Sequence, residues 1–412
     1  MTTSKSIHRG RTAFAKEEWK DAFIQLSRAE TKESLPSQDL ELLAISAYLT
    51  GNFTTCFDTW TRAHNSFVQS GDTRGAARCA FWLGFTLVNK GETVRGSGWM
   101  GHARKILDEN PIDCAEQGYL FLPVALAALS TGNIQGSIDA FKQAMEIGNR
   151  FRDQNLITLG TLGQGQALIR LGREKEGVAL LDEAMVSVDS SALSPIVMGI
   201  VYCAVIEACL EMFDLTRATE WTGALSDWCS SHPHLVPFRG QCLMRRSEIM
   251  RLHGEWDDAL KEVTRAIDLL STPTPEPAAA SAYYQLGDLY RLQGEYAQAE
   301  AAYNEASKLG RNPQPGLALL RLAQGQIDRS KSSINNALTE TKQLKNKYDA
   351  LSACIEIMLE DGNSEKARST LLELKKMAHG HDAPFLRALS SQAEGAVLLA
   401  EGKTDSALTS LR

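Results

Sequence analysis

The sequence predicts an all-α fold, a right-handed α-solenoid of about eleven helical hairpins with a period near 40 residues. Three observations lead to this prediction. Apolar residues recur at three- and four-residue spacing, helix-breaking glycines recur about every 40 residues, and small residues stand at fixed distances after those glycines. A single hairpin cannot bury its apolar faces alone, so the hairpins are expected to stack on one another.

The best-formed hairpin spans residues 283–306, with the sequence YYQLGDLYRLQGEYAQAEAAYNEA. Residues at helical spacing lie on both sides of the breaker Gly294: Tyr283, Leu286, Gly287 and Tyr290 before it, and Ala299, Tyr303 and Ala306 after it. Because Gly287 and Ala299 are small, each is expected to face the opposite helix and to let the two backbones approach closely.

The turn glycine of this hairpin recurs along the chain. It stands at Gly51, Gly91, Gly132, Gly172, Gly254, Gly294, Gly325, Gly362 and Gly402. The interval from Gly172 to Gly254 is about twice the others, and the missing turn is expected at residues 212–214, Met-Phe-Asp. Another turn is predicted at residues 17–19. The hairpins are therefore expected to form a single domain over residues 1–412, the last hairpin being cut short.

Small side chains follow the predicted turns at a constant distance. Five residues after each turn stand Ala22, Cys56, Gly96, Ser137, Gly177, Ala218, Ala259, Ala299, Ser330, Ala367 and Ala407. This regularity indicates that close contact between helices is needed at the same place in every hairpin, which is the requirement of a stacked solenoid.

The residue order in 283–306 resembles the tetratricopeptide repeat, which places a bulky aromatic, a Leu-Gly pair, a tyrosine, a turn, an alanine and an aromatic in this sequence. The period near 40 exceeds the ~34 residues of that repeat, and the surplus lies in polar or proline-bearing links such as residues 271–277. A link of this composition is also typical of a domain boundary. Because the spacing continues through it, we interpret it as a loop between repeats.

Residues 193–252, which contain SPIVMGIVYC and VPFRGQCLMRRSEIM, resemble the helical-repeat sensor region of bacterial LuxR-type transcriptional regulators, as do residues 17–23, 163–185 and 313–326. The resemblance implies transcriptional control. In that family a C-terminal helix-turn-helix follows the repeats and binds promoter DNA. This chain stops within the second helix of its last hairpin, so we expect it to be the sensing or scaffolding part, either of a truncated chain or of a regulator that has lost its effector domain.

The net charge of -7 disfavours contact with a phosphate backbone, so this segment is expected not to bind nucleic acid directly. The N-terminal residues contain no apolar signal sequence, which predicts a cytoplasmic location. Pro123 and the Gly132-Asn133 pair interrupt the uncharged run 117–138, leaving it short of the ~20 residues that a membrane span needs. We expect a buried helix followed by a turn there, and no membrane contact.

The eight cysteines are scattered without a CxxC pair or a Cys/His cluster, which predicts small buried side chains rather than disulfides or metal ligands. The histidines of HPH (232–234) and HGH (379–381) are expected to be exposed in loops. The glycines of residues 160–172 loosely match a phosphate-binding fingerprint, but no strand precedes them. We find no catalytic residues, and expect no enzyme activity, no cofactor and no metal.

The first helix of each hairpin is expected to line the concave face, the usual binding surface of a stacked solenoid. In the third to fifth hairpins the inward positions are mainly apolar: Phe81, Phe85, Tyr119, Leu122, Leu126, Leu162 and Gln166. In the sixth to eighth they are mainly polar: Cys203, Glu207, Gln241, Arg245, Glu248, Tyr284, Asp288 and Arg291. An apolar half beside a polar half suits a small amphipathic molecule.

These positions also have a structural interpretation. The apolar residues can be core between adjacent first helices, and Glu207, Arg245, Glu248, Asp288 and Arg291 can form a ladder of ion pairs between repeats. The function predicted first is a regulatory domain that binds a small-molecule effector in its concave channel. The alternative is an interaction scaffold that clamps a peptide or a partner helix. A homodimer through Phe14, Phe23, Leu408 and Leu411 is left open.

Overall fold

A computed structural model describes residues 3–190, 193–272, 275–340, 344–379 and 383–412 of the chain. Within these ranges the regular structure is entirely helical, and no strand is present. The predicted all-α fold of helical hairpins is therefore confirmed. Residues 273–274 of the proline-rich link and His381 of the HGH segment lie outside the described residues.

The first thirteen helices are α1 (Thr3–Ala15), α2 (Trp19–Glu30), α3 (Ser37–Leu49), α4 (Phe53–Ser70), α5 (Thr73–Asn89), α6 (Thr93–Glu109), α7 (Ala115–Tyr119), α8 (Phe121–Ser130), α9 (Ile134–Phe151), α10 (Gln154–Arg170), α11 (Glu174–Asp189), α12 (Pro195–Glu211) and α13 (Leu215–Ser231). The others are α14 (Arg239–His253), α15 (Trp256–Ser271), α16 (Pro277–Leu292), α17 (Tyr296–Lys308), α18 (Gly316–Ala323), α19 (Ile327–Glu340), α20 (Leu344–Glu360), α21 (Ser364–Ala378), α22 (Pro384–Ala400) and α23 (Thr404–Leu411).

Over the described ranges these helices form eleven hairpins, the number that the glycine spacing predicts. The first helix of the fourth hairpin is divided into α7 and α8, both of which pack on α9. The single buried helix predicted in residues 117–138 is thus replaced by two short helices. In the part of the chain that is described, no helix is long and apolar enough to cross a membrane.

The turns explain why glycine recurs. All nine predicted turn glycines have positive φ, between 74° and 86°, a left-handed conformation that glycine adopts without a steric penalty. The two predicted turns without glycine take the same conformation on another residue. Glu17 has φ 61° and Phe213 has φ 59°, so the predicted turns at residues 17–19 and 212–214 are confirmed.

The small residues lie where the helices touch. All eleven positions that come five residues after a turn are buried. The backbones of α5 and α6 approach closely, so that a Cβ added to Gly96 would lie 2.6 Å from the carbonyl oxygen of Gly84. A Cβ on Gly177 would meet the carbonyl oxygen of Gly165 at the same 2.6 Å. Because the obstacle is backbone, a side chain at these positions forces the helices apart.

We therefore expect Gly96→Ala to lower the free energy of unfolding by about 1–3 kcal/mol, the usual cost of overpacking a close contact. Gly98→Ala on the same helix is the matched control. No atom lies within 4 Å of its added Cβ, so only the better helix propensity of alanine acts, and stability should rise by roughly 0.5–1 kcal/mol. Urea unfolding measures the change in the free energy of unfolding for both variants. If both variants change it in the same direction, the close contact between α5 and α6 at Gly96 is contradicted.

The chain folds into two compact units. The first consists of Met1–Val205 with Gly223–Cys242, and the second of Ile206–Thr222 with Leu243–Arg412. The single-domain organisation of residues 1–412 stays a prediction.

In the first unit, residues 232–238 return to the first two hairpins. The backbone N–H of Val236 donates to the carbonyl of Leu49 at 2.9 Å, and the His232 ring stacks on Trp19 with centroids 4.6 Å apart. The His232 Nε2 atom lies 3.0 Å from the Glu17 carboxylate. These contacts link residues about 200 positions apart in an otherwise local fold.

The expectation that the HPH histidines are exposed is therefore wrong for His232, which is half-buried against Trp19. His234 is exposed as expected. This contact was not predictable from local patterns, because Trp19 and His232 belong to different hairpins and meet only when the unit closes.

In the second unit, the turn residue Phe213 lies between two later hairpins. Its ring stacks on Phe385 with centroids 5.5 Å apart and meets Tyr348 edge-on at 5.4 Å. Phe213 is buried in one hydrophobic core with residues of α20, α21 and α22. The sixth turn of the chain thus closes the second unit against its tenth and eleventh hairpins.

Candidate functional site

A cavity of about 200 Å³ lies inside the second unit. The first helices of the seventh to eleventh hairpins (α14, α16, α18, α20 and α22) supply most of its wall, and the turn around Phe213 supplies the rest. Turn geometry explains this position, because every hairpin returns its first helix to the same side of the stack. The concave side predicted from the sequence therefore carries a partly open cavity in this unit.

The cavity is lined by both apolar and charged side chains. The apolar lining comes from Leu210, Phe213, Leu215, Leu252, Leu319, Phe385 and Leu389. The charged lining comes from Glu248, Arg251, Asp288, Arg291, Lys345, Asp349 and Glu356. Such a wall combines apolar area with a few fixed polar groups, as small-molecule sites do.

Glu248 is the centre of a buried charge network. Its carboxylate pairs with Lys345, lies 3.4 Å from the Arg245 guanidinium, and accepts a hydrogen bond from Gln285 at 3.2 Å. Burial alone would raise the pKa of Glu248, but the Lys345 and Arg245 cations outweigh it and hold the pKa at about 2. Arg245 also lies 3.0 Å from Glu207. These four charges are satisfied by one another.

Asp288 is held by a second network. The Tyr303 hydroxyl donates to its carboxylate at 2.6 Å, and Arg291 lies 3.8 Å away. Burial and the Asp288 charge raise the pKa of Tyr303, so the phenol stays a donor. Tyr284 lines the cavity beside it, and its hydroxyl accepts from the Gly316 N–H at 3.2 Å.

Arg251 and Asp349 differ from the paired groups Glu248, Lys345 and Asp288 of the wall. Within the described ranges neither has a close ion pair or a hydrogen bond, and the Arg251 Nε atom is buried without a hydrogen-bond partner. The Asp349 side chain lines the cavity, and burial raises the pKa of its carboxyl group. No direct contact therefore satisfies either group, although the charges of Asp288, Glu248 and Asp349 stabilise the Arg251 cation from a greater distance.

Glu356 completes the charged wall at the other end of α20. Burial raises the pKa of its carboxyl group, and the Arg291 cation partly offsets this effect. Among the described residues, no group of three or more His, Cys, Asp or Glu side chains is placed to hold a metal ion. All eight cysteines are free thiols, seven of them buried and Cys203 half-buried.

The predicted polar site residues divide into two groups in the second unit. Glu248, Tyr284, Asp288 and Arg291 line the cavity. Glu207 and Arg245 do not line it but form the ion pairs that lead to Glu248. The ion-pair interpretation of the sequence therefore fits Glu207, Arg245 and Glu248.

Three of the predicted site residues of the first unit pack against one another. Phe81, Phe85 and Tyr119 cluster with Trp82, their ring centroids 5.2–6.2 Å apart. This packing, with Phe81 and Tyr119 buried, fits the interpretation as core between first helices. The Tyr119 hydroxyl donates to Asp153 at 3.1 Å.

The remaining candidates of the first unit have varied surroundings. Leu122 and Leu162 are buried, whereas Leu126 is 47% exposed. Gln166 and Gln241 are half-buried, and the Gln166 amide lies 3.5 Å from the carbonyl of Ala204. Ligand binding by these residues stays a prediction.

Sequence reasoning missed the half of the site that α20 supplies. Lys345, Asp349, Ser352 and Glu356 recur at three- and four-residue spacing and share one face of that helix. This polar stripe was readable in the sequence, but the predicted concave positions ended at the eighth hairpin. Arg251 was missed for another reason, because it lies one turn after Glu248 and nothing in its spacing sets it apart.

A tetratricopeptide repeat family model matches residues 241–312. That segment covers most of α14 and all of α15, α16 and α17, which are the seventh and eighth hairpins, and α14 and α16 line the cavity. No curated protein matches the sequence.

Solved structures of low sequence identity share the fold. The chain is similar to NprR in complex with its cognate peptide NprX, at 11% identity and a TM-score of 0.54, over 81% of this chain and 98% of that chain. It is also similar to the apo form of the quorum sensor NprR from B. thuringiensis, at 12% identity and a TM-score of 0.50, over 81% of this chain and 96% of that chain. At these identities the likeness shows a common helical-repeat fold.

Proposed function

We propose that this chain is a non-enzymatic sensing module of a LuxR-type transcriptional regulator, which works in the cytoplasm and binds a small amphipathic effector. The binding site is the cavity of the second unit. The observation that supports this proposal is a cavity lined by both apolar and charged side chains, among which Arg251 and Asp349 make no close ion pair or hydrogen bond in the described ranges. Charged groups without a direct partner are costly to desolvate, and a bound molecule would offset that cost.

An effector in this cavity would contact the first helices of five successive hairpins. It would therefore favour the conformation of the second unit in which the distances between α14, α18 and α22 match the size of the ligand. A ligand shifts such an equilibrium only by its difference in affinity for the two arrangements. Sensing by this mechanism needs no chemical step.

A thermal-shift screen of small amphipathic metabolites tests the proposal. At a ligand concentration of 100 Kd the folded state gains about 2.7 kcal/mol, which is a measurable shift of the midpoint. Ser352→Phe places a ring in the cavity and should abolish the shift. Ser332→Phe, an exposed position on α19, adds the same ring outside the cavity and should leave the shift unchanged.

Two results would refute the proposal. One is a screen in which no compound shifts the midpoint of the wild-type chain. The other is a shift that persists in Ser352→Phe with the same affinity, because the compound would then bind elsewhere.

The second candidate function is a scaffold that binds a peptide or a partner helix. An open groove of about 470 Å³ on the eighth hairpin favours it, lined by Tyr283, Leu286 and Tyr290 of α16 and Ala302 of α17. The NprR structure with a bound peptide shares the fold, and so gives a precedent for peptide binding. Leu286→Ser should weaken a peptide complex of this groove and leave the effector shift unchanged, which separates the two functions.

A homodimer also remains a proposal. Phe14 and Phe23 are half-buried, and Leu408 and Leu411 are exposed. Leu411 packs on Gly395 within its own hairpin, which favours a role in that hairpin's core over a dimer contact. Sedimentation equilibrium of the intact chain would decide the oligomeric state.

A further inference from the structure

We infer that the molecule bound in the cavity of the second unit is a zwitterion about the size of one amino acid, with an apolar side chain. Its carboxylate would bind Arg251, its ammonium group would bind Asp349, and its side chain would lie against Leu319, Phe385 and Leu389. This inference rests on the proposed function, because it names the chemical class of the effector at the same site.

The charges of the wall support a ligand with both signs. Glu248 is satisfied by Lys345, and Asp288 is satisfied by Tyr303 with Arg291 nearby. The remaining groups are Arg251 on α14 and two carboxylates of α20, Asp349 and Glu356, and within the described ranges no close ion pair joins Arg251 to either of them. A ligand that carries one negative and one positive group would satisfy Arg251 and one of these carboxylates without disturbing the existing pairs.

The chemistry of the two groups fixes the orientation of the ligand. A guanidinium is always charged and offers a planar fork of N–H donors that matches a carboxylate. The Arg251 Nε donor is buried without an acceptor, so a carboxylate there would gain a charge-assisted hydrogen bond. Asp349 is an acceptor that faces the cavity, and an ammonium group would stabilise its charged form against the effect of burial.

The volume limits the size of the ligand. Since a water molecule takes up roughly 30 Å³ in the liquid, a cavity of about 200 Å³ holds on the order of seven waters. Pockets for drug-sized molecules run from about 300 to 1,000 Å³. A cavity of this volume is therefore matched to a single amino acid rather than to a nucleotide or a long peptide.

Other ligand classes fit the wall less well. The lining carries three cations (Arg251, Arg291 and Lys345) and four carboxylates (Glu248, Asp288, Asp349 and Glu356), so its net charge disfavours a phosphate ester or a dicarboxylate. A neutral sugar would offer no counter-charge to Arg251 or Asp349, neither of which has a direct partner in the described ranges. The apolar residues Phe385 and Leu389 would gain nothing from a purely polar ligand.

Isothermal titration of the intact chain tests the inference, with L-leucine, L-valine, L-methionine and L-phenylalanine as probes. We expect at least one to bind. N-acetylation of that amino acid removes the ammonium charge, and amidation removes the carboxylate. Because each blocked analogue leaves one wall charge unsatisfied, each should bind at least about 10-fold more weakly. These ligand-side changes need no variant protein.

Two variants assign the contacts. In Asp349→Asn, the amino acid and its N-acetyl form should bind with nearly equal affinity, and in Arg251→Gln the amino acid and its amide should do so. Arg246→Gln is the matched control, because Arg246 stands on the same helix α14 but does not line the cavity. It should keep the full preference for the zwitterion. Circular dichroism of each variant checks that it is folded.

The outcomes separate this inference from the proposed function. If the blocked analogues bind as tightly as the free amino acid, or if binding survives in Ser352→Phe, zwitterion recognition in the cavity is refuted. If the metabolite screen finds only sugars or dianions that lose their effect in Ser352→Phe, the sensing function stands and the zwitterion is refuted. If neither amino acids nor screened metabolites bind, both are refuted.

Discussion

Replacing Phe213 with alanine is expected to lower the free energy of unfolding of the second unit by about 3–5 kcal/mol, the usual cost of removing a buried phenylalanine ring. The ring is 4% exposed and packs against Tyr348 and Phe385 of the tenth and eleventh hairpins. Its loss leaves a void where the sixth turn closes the unit. Hydrogen exchange in α20 and α22 should rise, because these helices lose a shared contact.

Glycine at the same position should be less damaging than alanine. Phe213 has φ 59°, a left-handed conformation that costs most residues roughly 1–2 kcal/mol and glycine nothing. Phe213→Gly loses the ring but relieves the backbone, so we expect it to be about 1 kcal/mol more stable than Phe213→Ala. This order is the reverse of that in a helix, where glycine is the worse residue.

Leu372→Ala is the control for these variants. Leu372 is 64% exposed on α21 in the same unit, so its truncation should change stability by no more than about 0.5 kcal/mol. Urea unfolding of the four proteins gives the comparison. If Phe213→Ala is as stable as Leu372→Ala, the packing of Phe213 against Tyr348 and Phe385 does not stabilise the second unit, and the prediction is wrong.

Replacing Lys345 with methionine is expected to cost about 3–5 kcal/mol, since it leaves the buried carboxylate of Glu248 without its nearest counter-charge. Arg245 at 3.4 Å compensates only in part. The double variant Lys345→Met with Glu248→Gln should recover much of the loss, because the buried carboxylate that lost its counter-charge is then neutral. A double-mutant cycle measures this coupling.

Lys347→Met on the same helix is the control. Lys347 forms a more exposed ion pair with Glu373 at 2.9 Å, a type of pair that contributes at most about 1 kcal/mol. Equal losses for Lys345→Met and Lys347→Met would contradict the buried network around Glu248.

The same carboxylate gives the stability a pH dependence. The pKa of Glu248 is about 2 in the folded chain against an ordinary value of 4.5, so the folded state binds its proton less well. Its contribution, about 3 kcal/mol at ~1.4 kcal/mol per pKa unit, is fully present above pH 4.5 and is lost as the pH falls through 2. Urea unfolding between pH 6 and pH 2 should show a shallower decline in Glu248→Gln. If the free energy of unfolding of Glu248→Gln falls with decreasing pH as steeply as that of the wild type, the low pKa of Glu248 is refuted.

The turns of this fold were predictable because they depend on single residues. A left-handed turn strongly favours glycine, so Gly51 and Gly294 mark their turns in the sequence. Close helix contact likewise needs small side chains, which makes Gly96 and Gly177 recognisable. Both requirements depend on residues close together in the chain, so the sequence pattern alone reveals them.

The closure of each unit was not predictable in the same way. Phe213 fills a glycine position at a backbone cost, and the reason is the pair of rings, Tyr348 and Phe385, that the chain supplies more than 130 residues later. The cavity depends on that closure, because Lys345 and Asp349 face Glu248 and Arg251 only when the tenth hairpin stands across from the seventh. Periodicity identifies the face of a helix, but it does not identify the partner across the unit.

The return of residues 232–238 to the first two hairpins bears on how the first unit unfolds. A stack in which each repeat touches only its neighbours behaves as a one-dimensional chain and frays from its ends. Here the Val236–Leu49 hydrogen bond and the stacking of His232 on Trp19 join the two ends of the unit. The first two hairpins therefore have no free end from which to fray, and their amide hydrogens should exchange together with those of α13 in one cooperative opening.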